Sequence, residues 1–285
     1  MKPLLTTEER KTSAGLPALT VRGTGSFSAA KTFDCGQAFR FEPCGGDPAF
    51  VRGTAFGREI AFDGRVHGEL TLIGADRADF EAIWRSYLDL DTDYEEGEHV
   101  ILAAMPDERS RRVMQAALDA GRGIRILRQD PWETLVTFIL SQNNNIPRIK
   151  KLVARLAEAA GRFPLPADLL SIGTEGLYVL GAGYRCGYLT DAAEKVLAGE
   201  VCLSRAASLP PDEARAELMK IRGVGPKVAD CVLLFGLHRT EAFPVDVWIK
   251  KALAEKFPEG FDPAPLGEWA GYAQQCLFYA QREWS

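Results

Sequence analysis

A lysine beside a glycine-rich turn is the side chain of this sequence best placed for covalent chemistry. Lys227 follows Gly223-Val224-Gly225 and Pro226, at the point where two helical patterns meet. A turn this short exposes backbone N–H groups beside a helix N-terminus, an arrangement that binds phosphate without side-chain charge. The positive end of the helix dipole disfavours a nearby cation by roughly 0.3–1 kcal/mol, which favours the neutral, nucleophilic amine. Lys227 is therefore a candidate nucleophile, and a solvated surface lysine is the alternative interpretation.

The candidate acid is an aspartate that follows a proline. Asp246 stands between two valines, comes directly after Pro244-Val245 and precedes a helical pattern. This position suits a helix N-cap, a carboxylate delivered to a reaction site, or both. Asp230 is a rival acid that lies three residues beyond Lys227, within an apolar helical pattern. A bond from Asp230 to a neighbouring helix end is an equally good interpretation.

The net charge of the chain bears on whether its partner is a nucleic acid. The chain has 34 basic and 39 acidic residues, a formal net charge of −5, whereas phosphate binding usually relies on clustered Lys and Arg. Residues 76–98 alone carry nine acidic side chains against two arginines, and residues 121–155 carry seven basic side chains against two acidic ones. The overall acidity therefore hides a basic region and does not exclude DNA.

Composition and cysteine spacing exclude several other classes of protein. With 285 residues, of which 46% are hydrophobic, the chain can bury a sizeable core. Its six cysteines include no C-x-x-C pair, so neither a zinc knuckle nor a four-cysteine iron–sulfur cluster is predicted. The first 26 residues lack an apolar signal region, and the longest apolar run, 231–237, is too short to span a bilayer. We therefore expect a reduced, intracellular protein with no membrane association.

Residues 1–90 are predicted to form a β-rich domain. Strand-like patterns cover residues 19–74, including 26–41 and 50–56, and residues 58–72 form a predicted hairpin around Asp63-Gly64. After the acidic stretch the hydrophobic pattern takes the period of helices and keeps it to the C-terminus. Residues 91–285 are therefore predicted to be an all-α domain, and the fold class is α+β.

The clearest predicted helix begins at Asp130-Pro131-Trp132-Glu133, which offers an N-cap, a first-turn proline and an acidic third position. Its apolar residues recur at helical spacing from Trp132 to Leu140. The next helix is predicted to bury Ile149, Leu152, Val153 and Leu156 and to end at Gly161, with the polar run 141–145 forming the turn between the two. Further helices are predicted over 189–197, 212–220, 227–237, 247–257 and 266–281.

The motif that contains the lysine resembles a known superfamily. Ile221-Arg-Gly-Val-Gly-Pro-Lys227, its continuation to Cys231, and Pro244-Val-Asp246 resemble the helix-hairpin-helix plus Gly/Pro-Asp superfamily of DNA glycosylases. Within it the chain resembles the 8-oxoguanine DNA glycosylases. That second resemblance rests on five more segments that occur in order: Cys35-Gly-Gln-Ala-Phe-Arg40, Leu127-Arg-Gln-Asp-Pro131, Asn143-Asn-Asn-Ile146, Gly181-Ala-Gly-Tyr-Arg185 and Tyr272-Ala-Gln-Gln-Cys-Leu-Phe278. It implies an antiparallel, TBP-like N-terminal domain followed by a helical glycosylase domain.

The resemblance implies a bifunctional glycosylase and lyase in base excision repair, which excises 8-oxoguanine opposite cytosine from duplex DNA after flipping the nucleotide out of the stack. Lys227 would attack the deoxyribose C1′, expel the base and hold the sugar as a Schiff base, from which β-elimination nicks the strand. Asp246 would stabilise the cationic sugar and cap its helix. Either the freed base or Asp246 would relay protons.

The resemblance also implies how the damaged base is recognised. Gly36 would offer its backbone carbonyl to the N7–H that distinguishes 8-oxoguanine from guanine, and the absence of a side chain permits the approach. Gln274 would read the Watson–Crick edge, while Cys231 and Phe278 would sandwich the ring. Cys231 lies four residues after Lys227, on the same helical face. Simple core packing is the alternative for Cys231 and Phe278.

Contacts to the opposite strand follow from the same resemblance. Asn143, Arg148 and Arg185 would bind the acceptors of the unpaired cytosine, and Tyr184 would fill the gap left by the flipped base. A polar turn with side-chain-to-backbone hydrogen bonds is the alternative for 143–145, and for Asn145 we expect that role in any case. Backbone N–H groups of Gly223 and Gly225 are expected to contact phosphate.

No cofactor is expected to be required, although the backbone carbonyls of Met219, Ile221 and Val224 are candidate ligands for a structural Na⁺ or K⁺. Trp248 departs from the family pattern, because many relatives carry a phosphate-binding histidine there. The chain also lacks the C-terminal cysteines of the iron–sulfur glycosylases. The expected partner is duplex DNA containing 8-oxoguanine, bound by a monomer that resides with the DNA, in the nucleoid of a prokaryote or the nucleus of a eukaryote.

Two alternative functions remain open at the level of the sequence. A sister glycosylase for other oxidised or alkylated purines would keep Lys227 and Asp246 but use Gly36, Gln274 and Phe278 differently. A non-enzymatic helix-hairpin-helix protein would use Lys227 as a phosphate contact only.

Overall fold

A computed structural model describes residues 4–284, which pack into two compact units. The first unit comprises the described residues up to Arg128 together with those from Val245 onward, and the second comprises Gln129–Pro244. The boundary between two domains that the sequence predicted at residue 90 stays a prediction.

The first unit contains a six-stranded antiparallel sheet, as the sequence predicted for the N-terminal region. Its outer strands are protected against further pairing: one is almost entirely polar and the other contains Pro43. The strands are β1 (Thr6–Lys11), β2 (Pro17–Arg22), β3 (Phe41–Cys44), β4 (Asp47–Ala55), β5 (Arg58–Asp63) and β6 (Glu69–Ile73), in the order β1-β2-β6-β5-β4-β3.

The predicted hairpin is confirmed, but its turn is longer than Asp63-Gly64. Asp63 pairs with Thr71, so residues 64–68 form the connection between β5 and β6. The backbone N–H of Gly64 donates to the carbonyl of Ala49 at 2.9 Å. Gly64 therefore extends the pairing with β4 instead of closing a two-residue turn.

The strand-like interpretation of residues 26–41 is wrong over its central part, which forms helix α1 (Ala29–Asp34). Ser28 caps this helix by accepting a hydrogen bond from the backbone N–H of Lys31. Phe33 packs on the sheet, with its ring centroid 4.4 Å from that of Phe41 and 5.3 Å from that of Phe62. The aromatic residues of this segment are therefore buried in a helix that begins after the Ser28 cap, and they do not indicate a strand.

The helical segments that directly follow the sheet contribute Phe80, Trp84 and Tyr87 to the same buried core as the strands. One close contact in this unit requires glycine at residue 121, because a Cβ there would lie 2.5 Å from the thiol of Cys276. The helices are α2 (Arg77–Asp79) and α3 (Arg85–Tyr87), which flank the π-helical segment Phe80–Trp84, then α4 (Tyr94–Ala103) and α5 (Glu108–Gly121).

The second unit is entirely helical, and its first two helices have the predicted ends. The carboxylate of Asp130 accepts from the N–H of Glu133 at 2.8 Å, and Gly161 ends the second helix in the left-handed conformation. The helices are α6 (Pro131–Ser141), α7 (Ile146–Ala160), α8 (Pro166–Val179), α9 (Cys186–Leu197), α10 (Leu203–Ser208), α11 (Pro211–Met219) and α12 (Pro226–Phe235).

Two more helices return the chain to the first unit, α13 (Val247–Lys256) and α14 (Ala270–Trp284), with the 3₁₀ segment Ala264–Trp269 between them. The predicted helix over 266–281 begins later because Gly267 adopts a φ of +54° and interrupts it. Helices α4, α5, α8 and α10 lie within the region predicted to be all-α, but the sequence did not indicate where each begins and ends. Across residues 4–284, no helix combines the length and apolar character that a bilayer span requires.

Candidate active site

The glycine turn and the helices beside it form the predicted hairpin in the second unit. Gly223 turns the chain with a φ of +81°, and the N–H of Val224 donates to the carbonyl of Ile221 at 3.1 Å. Gly225 is the N-cap of α12 and Pro226 occupies its first turn. The turn thus leads directly into a helix N-terminus, the arrangement that binds phosphate through backbone N–H groups.

Substitution of the two glycines should affect stability very differently. Gly223→Ala should lower the free energy of unfolding by at least about 2 kcal/mol, because an L-residue in the left-handed region costs roughly 1–2 kcal/mol and crowding adds to it. A Cβ on Gly223 would also lie 2.3 Å from the ring of Tyr188. Gly225→Ala is the matched control, since a Cβ there meets nothing within 4 Å, and should cost less than about 1 kcal/mol. Urea unfolding of both variants checks this, and equal losses would contradict it.

Lys227 lies in the first turn of α12 and is partly exposed. Its Nζ lies 3.3 Å from the hydroxyl of Ser141 and 5.1 Å from the ring centroid of Phe138, both on α6. Among residues 4–284, no carboxylate forms a salt bridge with it. The amine is thus held by a neutral hydroxyl and an aromatic face.

Ser141 and Phe138 were not recognised from the sequence as neighbours of the lysine. They lie 86 and 89 positions before it, and nothing in their local pattern links them to it. Only the packing of α12 against α6 brings them to the amine.

Asp230, the rival acid, is engaged within the hairpin. It is 8% exposed, and its carboxylate accepts from Nε of Arg215 on α11 at 2.8 Å. Burial raises the pKa of Asp230 above its ordinary value, although the ion pair with Arg215 opposes the shift. Asp230 therefore joins the two helices of the hairpin, a structural role that accounts for its position.

Asp246 belongs to the first unit, where it is the N-cap of α13. One carboxylate oxygen accepts from the N–H of Ile249 at 2.8 Å. The side chain is partly exposed, and its second oxygen makes no hydrogen bond within the described residues. Trp248, two residues further on, is 37% exposed. The predicted cap is confirmed, and one oxygen remains available to a ligand.

The residues proposed to read the damaged base lie partly on the α1 turn and partly on α14, which contact each other in the first unit. Gly36 adopts a φ of +76° directly after α1. Arg282 of α14 donates to the carboxylate of Asp34 at 3.1 Å and lies 5.9 Å from the ring of Phe278. Gln274, on the same helix, is buried and its carbonyl oxygen accepts from Gln275 at 2.9 Å.

Cys231 lies one helical turn after Lys227 on α12 and is buried, and Phe278 is also buried. Burial of both side chains is what a ring-binding role and ordinary core packing would each require. The sandwich role of Cys231 and Phe278 therefore stays a prediction.

The residues predicted to bind the opposite strand surround the turn between α6 and α7. Asn143 is exposed and has a φ of +47°, and Arg148 is also exposed. Asn145 accepts from the N–H of Arg148 at 3.0 Å and so caps α7, as expected, while Nδ2 of Asn144 donates to the carbonyl of Leu140 at 3.1 Å. The polar run therefore forms the turn, and its exposed members are available to a partner.

Arg185 is placed differently from Arg148, because it is only 3% exposed. Its Nε donates to the carbonyl of Gln142 at 2.9 Å, and its terminal nitrogens donate to the carbonyls of Asn143 at 3.1 Å and Ala182 at 3.3 Å. Tyr184 is 55% exposed, stacks on this guanidinium at 4.4 Å and donates to the same Gln142 carbonyl at 3.2 Å. Arg185 thus holds the Asn143 turn in its unusual conformation, a role that the sequence did not indicate.

Comparison with known proteins agrees with this arrangement. Residues 21–135 match the model of the 8-oxoguanine DNA glycosylase N-terminal domain, and residues 136–258 match that of the HhH-GPD superfamily of base excision DNA repair proteins. The structure of the Clostridium acetobutylicum 8-oxoguanine glycosylase/lyase, in complex with double-stranded DNA containing cytosine opposite 8-oxoguanine, superposes with a TM-score of 0.87. The two chains are 33% identical, and the match covers 99% of each.

Two curated relatives are named N-glycosylase/DNA lyase. The Saccharomyces cerevisiae protein is 39% identical over 46% of this chain and 41% of its own length. The Arabidopsis thaliana protein is 35% identical over 56% of this chain and 52% of its own length. The chain therefore spans about half the length of these curated relatives.

Three features together define a helix-hairpin-helix base excision DNA repair protein. They are the unit with the sheet, the Gly223–Gly225 hairpin followed by Lys227, and the aspartate that caps the next helix. Because both halves of the chain match and the solved relative is matched over its whole length, the chain belongs to the 8-oxoguanine DNA glycosylase family.

Proposed function

We propose that this protein is a bifunctional DNA glycosylase and lyase that excises 8-oxoguanine opposite cytosine. The observation that carries the proposal is Lys227, an amine in the first turn of α12 that bonds a neutral hydroxyl at 3.3 Å instead of a carboxylate. A lysine that served only as a phosphate contact would need no such neighbour. Membership of the glycosylase family supports the enzymatic alternative over a purely DNA-binding protein.

In the proposed reaction, the nitrogen of Lys227 forms a bond to C1′ of the flipped nucleotide while the bond from C1′ to the base nitrogen breaks. The base leaves with the bonding electron pair and takes up a proton. Asp246 stabilises the positive charge that develops on the sugar, through the carboxylate oxygen that does not cap α13. Opening of the sugar ring then gives a protonated Schiff base.

Strand cleavage follows from that Schiff base. Loss of a proton from C2′ expels the 3′ phosphate group, which breaks the bond between C3′ and its oxygen. Water then releases the sugar fragment from Lys227 and regenerates the amine. We propose that the freed base or Asp246 carries the proton in this step.

Recognition of the base is proposed for Gly36, Gln274, Phe278 and Cys231. The carbonyl of Gly36 accepts from N7–H of 8-oxoguanine, a donor that guanine lacks, and Gln274 reads the Watson–Crick edge. Phe278 and Cys231 contact the two faces of the ring. The positive φ of Gly36 and the burial of Gln274 support fixed positions for both.

A lesion panel tests the choice of substrate. We expect single-turnover release of 8-oxoguanine from a duplex in which it faces cytosine, followed by nicking of the strand. A duplex of the same length that contains an alkylated purine, such as 3-methyladenine, should be processed at least about fivefold more slowly. The alkylated base lacks the N7–H donor, and one polar contact is worth roughly 1 kcal/mol. Faster release of the alkylated base would establish the sister-enzyme alternative instead.

Arg148 is expected to determine the preference for cytosine opposite the lesion. Its side chain is exposed, whereas Arg185 is already bound to backbone carbonyls, so Arg148→Ala removes a base contact without loosening the turn. The rate advantage of cytosine over the other three opposite bases should fall at least about fivefold, since a specific base contact contributes roughly 1–3 kcal/mol.

Lys151, one turn further along the exposed face of α7, provides the matched control for Arg148. Lys151→Ala should weaken binding to duplexes with all four opposite bases by a similar factor, as expected for a phosphate contact. An unchanged cytosine preference in Arg148→Ala would remove that residue from its proposed role.

We also propose a structural monovalent cation in the hairpin, as part of the DNA-binding turn. The carbonyl of Met219 is the last of α11, and the carbonyls of Ile221 and Val224 lie in the turn that follows it, where Gly223 reverses the chain. Uncharged carbonyl oxygens are suitable ligands for Na⁺ or K⁺. Bound there, the cation would supply positive charge beside the phosphate-binding N–H groups.

A further inference from the structure

A buried glutamine directly after Gly36 connects the α1 turn to a separate segment of the first unit. Gln37 is only 1% exposed. Its Nε2 donates to the carbonyl of Thr32 at 3.0 Å and to the carbonyl of Arg125 at 2.8 Å. Its Oε1 accepts from the N–H of Leu127 at 3.0 Å. One side-chain amide therefore binds backbone groups from two segments that are about ninety residues apart in sequence.

The orientation of this amide follows from its partners. Two carbonyl oxygens face the nitrogen and one N–H faces the oxygen, so a rotated amide would place its oxygen against two other oxygens. Nε2 also lies 3.1 Å from the thiol sulfur of Cys35, so both of its hydrogens have acceptors, and Oε1 accepts from an N–H. A buried polar group satisfied in this way is held in one position, because every alternative leaves donors or acceptors unpaired.

The segment that Gln37 binds is itself fixed by other buried contacts. The N–H of Ile126 donates to the hydroxyl of Tyr94 at 2.9 Å, and that hydroxyl donates to Asp89 at 2.8 Å. The N–H of Arg125 donates to the hydroxyl of Thr32 at 3.2 Å. The glutamine therefore anchors the α1 turn to a rigid part of the first unit.

We propose that Gln37 is a positioning residue that fixes the Gly36 carbonyl for recognition of 8-oxoguanine, an inference that rests on the proposed role of Gly36. The carbonyl of Gly36 belongs to the same planar peptide group as the backbone nitrogen and Cα of Gln37. Gly36 has no side chain of its own and adopts a φ of +76°, a region in which glycine is conformationally permissive. The hydrogen bonds that hold the Gln37 side chain therefore set the orientation of the Gly36 carbonyl.

The test compares two activities of the same preparation. Gln37→Met keeps the length of the side chain but removes the hydrogen bonds of its amide, and Gln37→Glu keeps an acceptor but removes the donors. For each variant, single-turnover release of 8-oxoguanine opposite cytosine is divided by the rate of nicking of a preformed abasic site, which contains no base to recognise. We expect this ratio to fall about 10- to 100-fold, since a misplacement of about 1 Å in a positioning contact can cost on the order of 100-fold.

Because both rates come from one preparation, the ratio does not depend on the fraction of protein that is folded. Thr20→Val is the matched control: it removes a buried hydrogen bond of 2.9 Å to Thr71 within the sheet, and its ratio should stay within about twofold of the wild type. An unchanged ratio in both Gln37 variants, or an equal fall in Thr20→Val, would overturn the inference alone. A wild-type protein that nicks abasic DNA but releases no 8-oxoguanine would overturn the proposed function as well.

Discussion

Sodium borohydride, added to the protein together with a duplex that contains 8-oxoguanine opposite cytosine, is expected to give a covalent protein–DNA complex. Hydride reduces the Schiff base to a stable secondary amine, so the nitrogen of Lys227 remains bonded to the sugar carbon. Lys227→Gln should abolish this complex, because an amide nitrogen does not form the imine. We expect no detectable trapped product from this variant on a denaturing gel.

A second lysine of the hairpin makes the trapping experiment specific. Lys220 ends α11 and forms a salt bridge of 2.6 Å with Glu217, so Lys220→Gln removes a nearby amine from the same turn. We expect Lys220→Gln to be trapped as efficiently as the wild type. Trapping that persists in Lys227→Gln, or a wild type that is never trapped on damaged DNA, would refute the assignment of Lys227 as nucleophile.

Ser141 is the residue of α6 that orients the Lys227 amine. Its hydroxyl is the polar contact that the structure gives to the Lys227 amine, at 3.3 Å. It orients the amine without forming an ion pair with it. The proposed orientation of the amine therefore depends on the packing of α6 against α12 as well as on Lys227 itself.

Asp246→Asn is expected to slow the chemical step by about 10²–10³-fold, the loss typical of one electrostatic contact to the transition state. Asparagine and aspartate are equally good N-caps, so the hydrogen bond to the N–H of Ile249 should survive the change. The thermal midpoint of unfolding and the affinity for DNA should therefore change little. Single-turnover kinetics at saturating protein, together with a melting curve, separate the two roles.

Asp230→Asn is the matched control, because Asp230 is the other aspartate of the motif region and bonds Arg215 within the hairpin. Its substitution should reduce stability through the weakened contact with Arg215, with a rate loss far smaller than that of Asp246→Asn. If Asp246→Asn reacts at the wild-type rate, or only loses stability, then Asp246 is a helix cap and the stabilisation of the sugar lies elsewhere.

The two aspartates illustrate how much the sequence predicts about the candidate site. The position of Asp246, after Pro244-Val245 and before a helical pattern, predicted the cap that the structure contains, because a cap depends on residues within one helical turn. The same reasoning did not decide whether Asp230 is a catalytic acid or a structural contact. Its partner, Arg215, lies on another helix and becomes a neighbour only when the hairpin closes.

The misassigned segment 26–41 has a similar physical cause. Buried aromatic residues occur in strands and in short helices that pack on a sheet, so composition did not distinguish the two. The cap at Ser28 was the local signal for α1, and Phe33 shows why a helix of six residues is stable there, since it packs against Phe41 and Phe62 of the sheet. Stability of so short a helix comes from tertiary packing.

Features that depend on neighbours along the chain could be predicted from the amino-acid sequence: the Gly223 turn, the helix that places Lys227, the caps at Asp130 and Asp246, and the family motifs. Three contacts could not be predicted in this way: those of Ser141 with Lys227, of Arg185 with the Asn143 turn and of Gln37 with Leu127. Each of these contacts joins positions separated by about forty to ninety residues. Turns and caps are fixed by local backbone geometry, whereas such contacts exist only after the hydrophobic core has brought distant segments together.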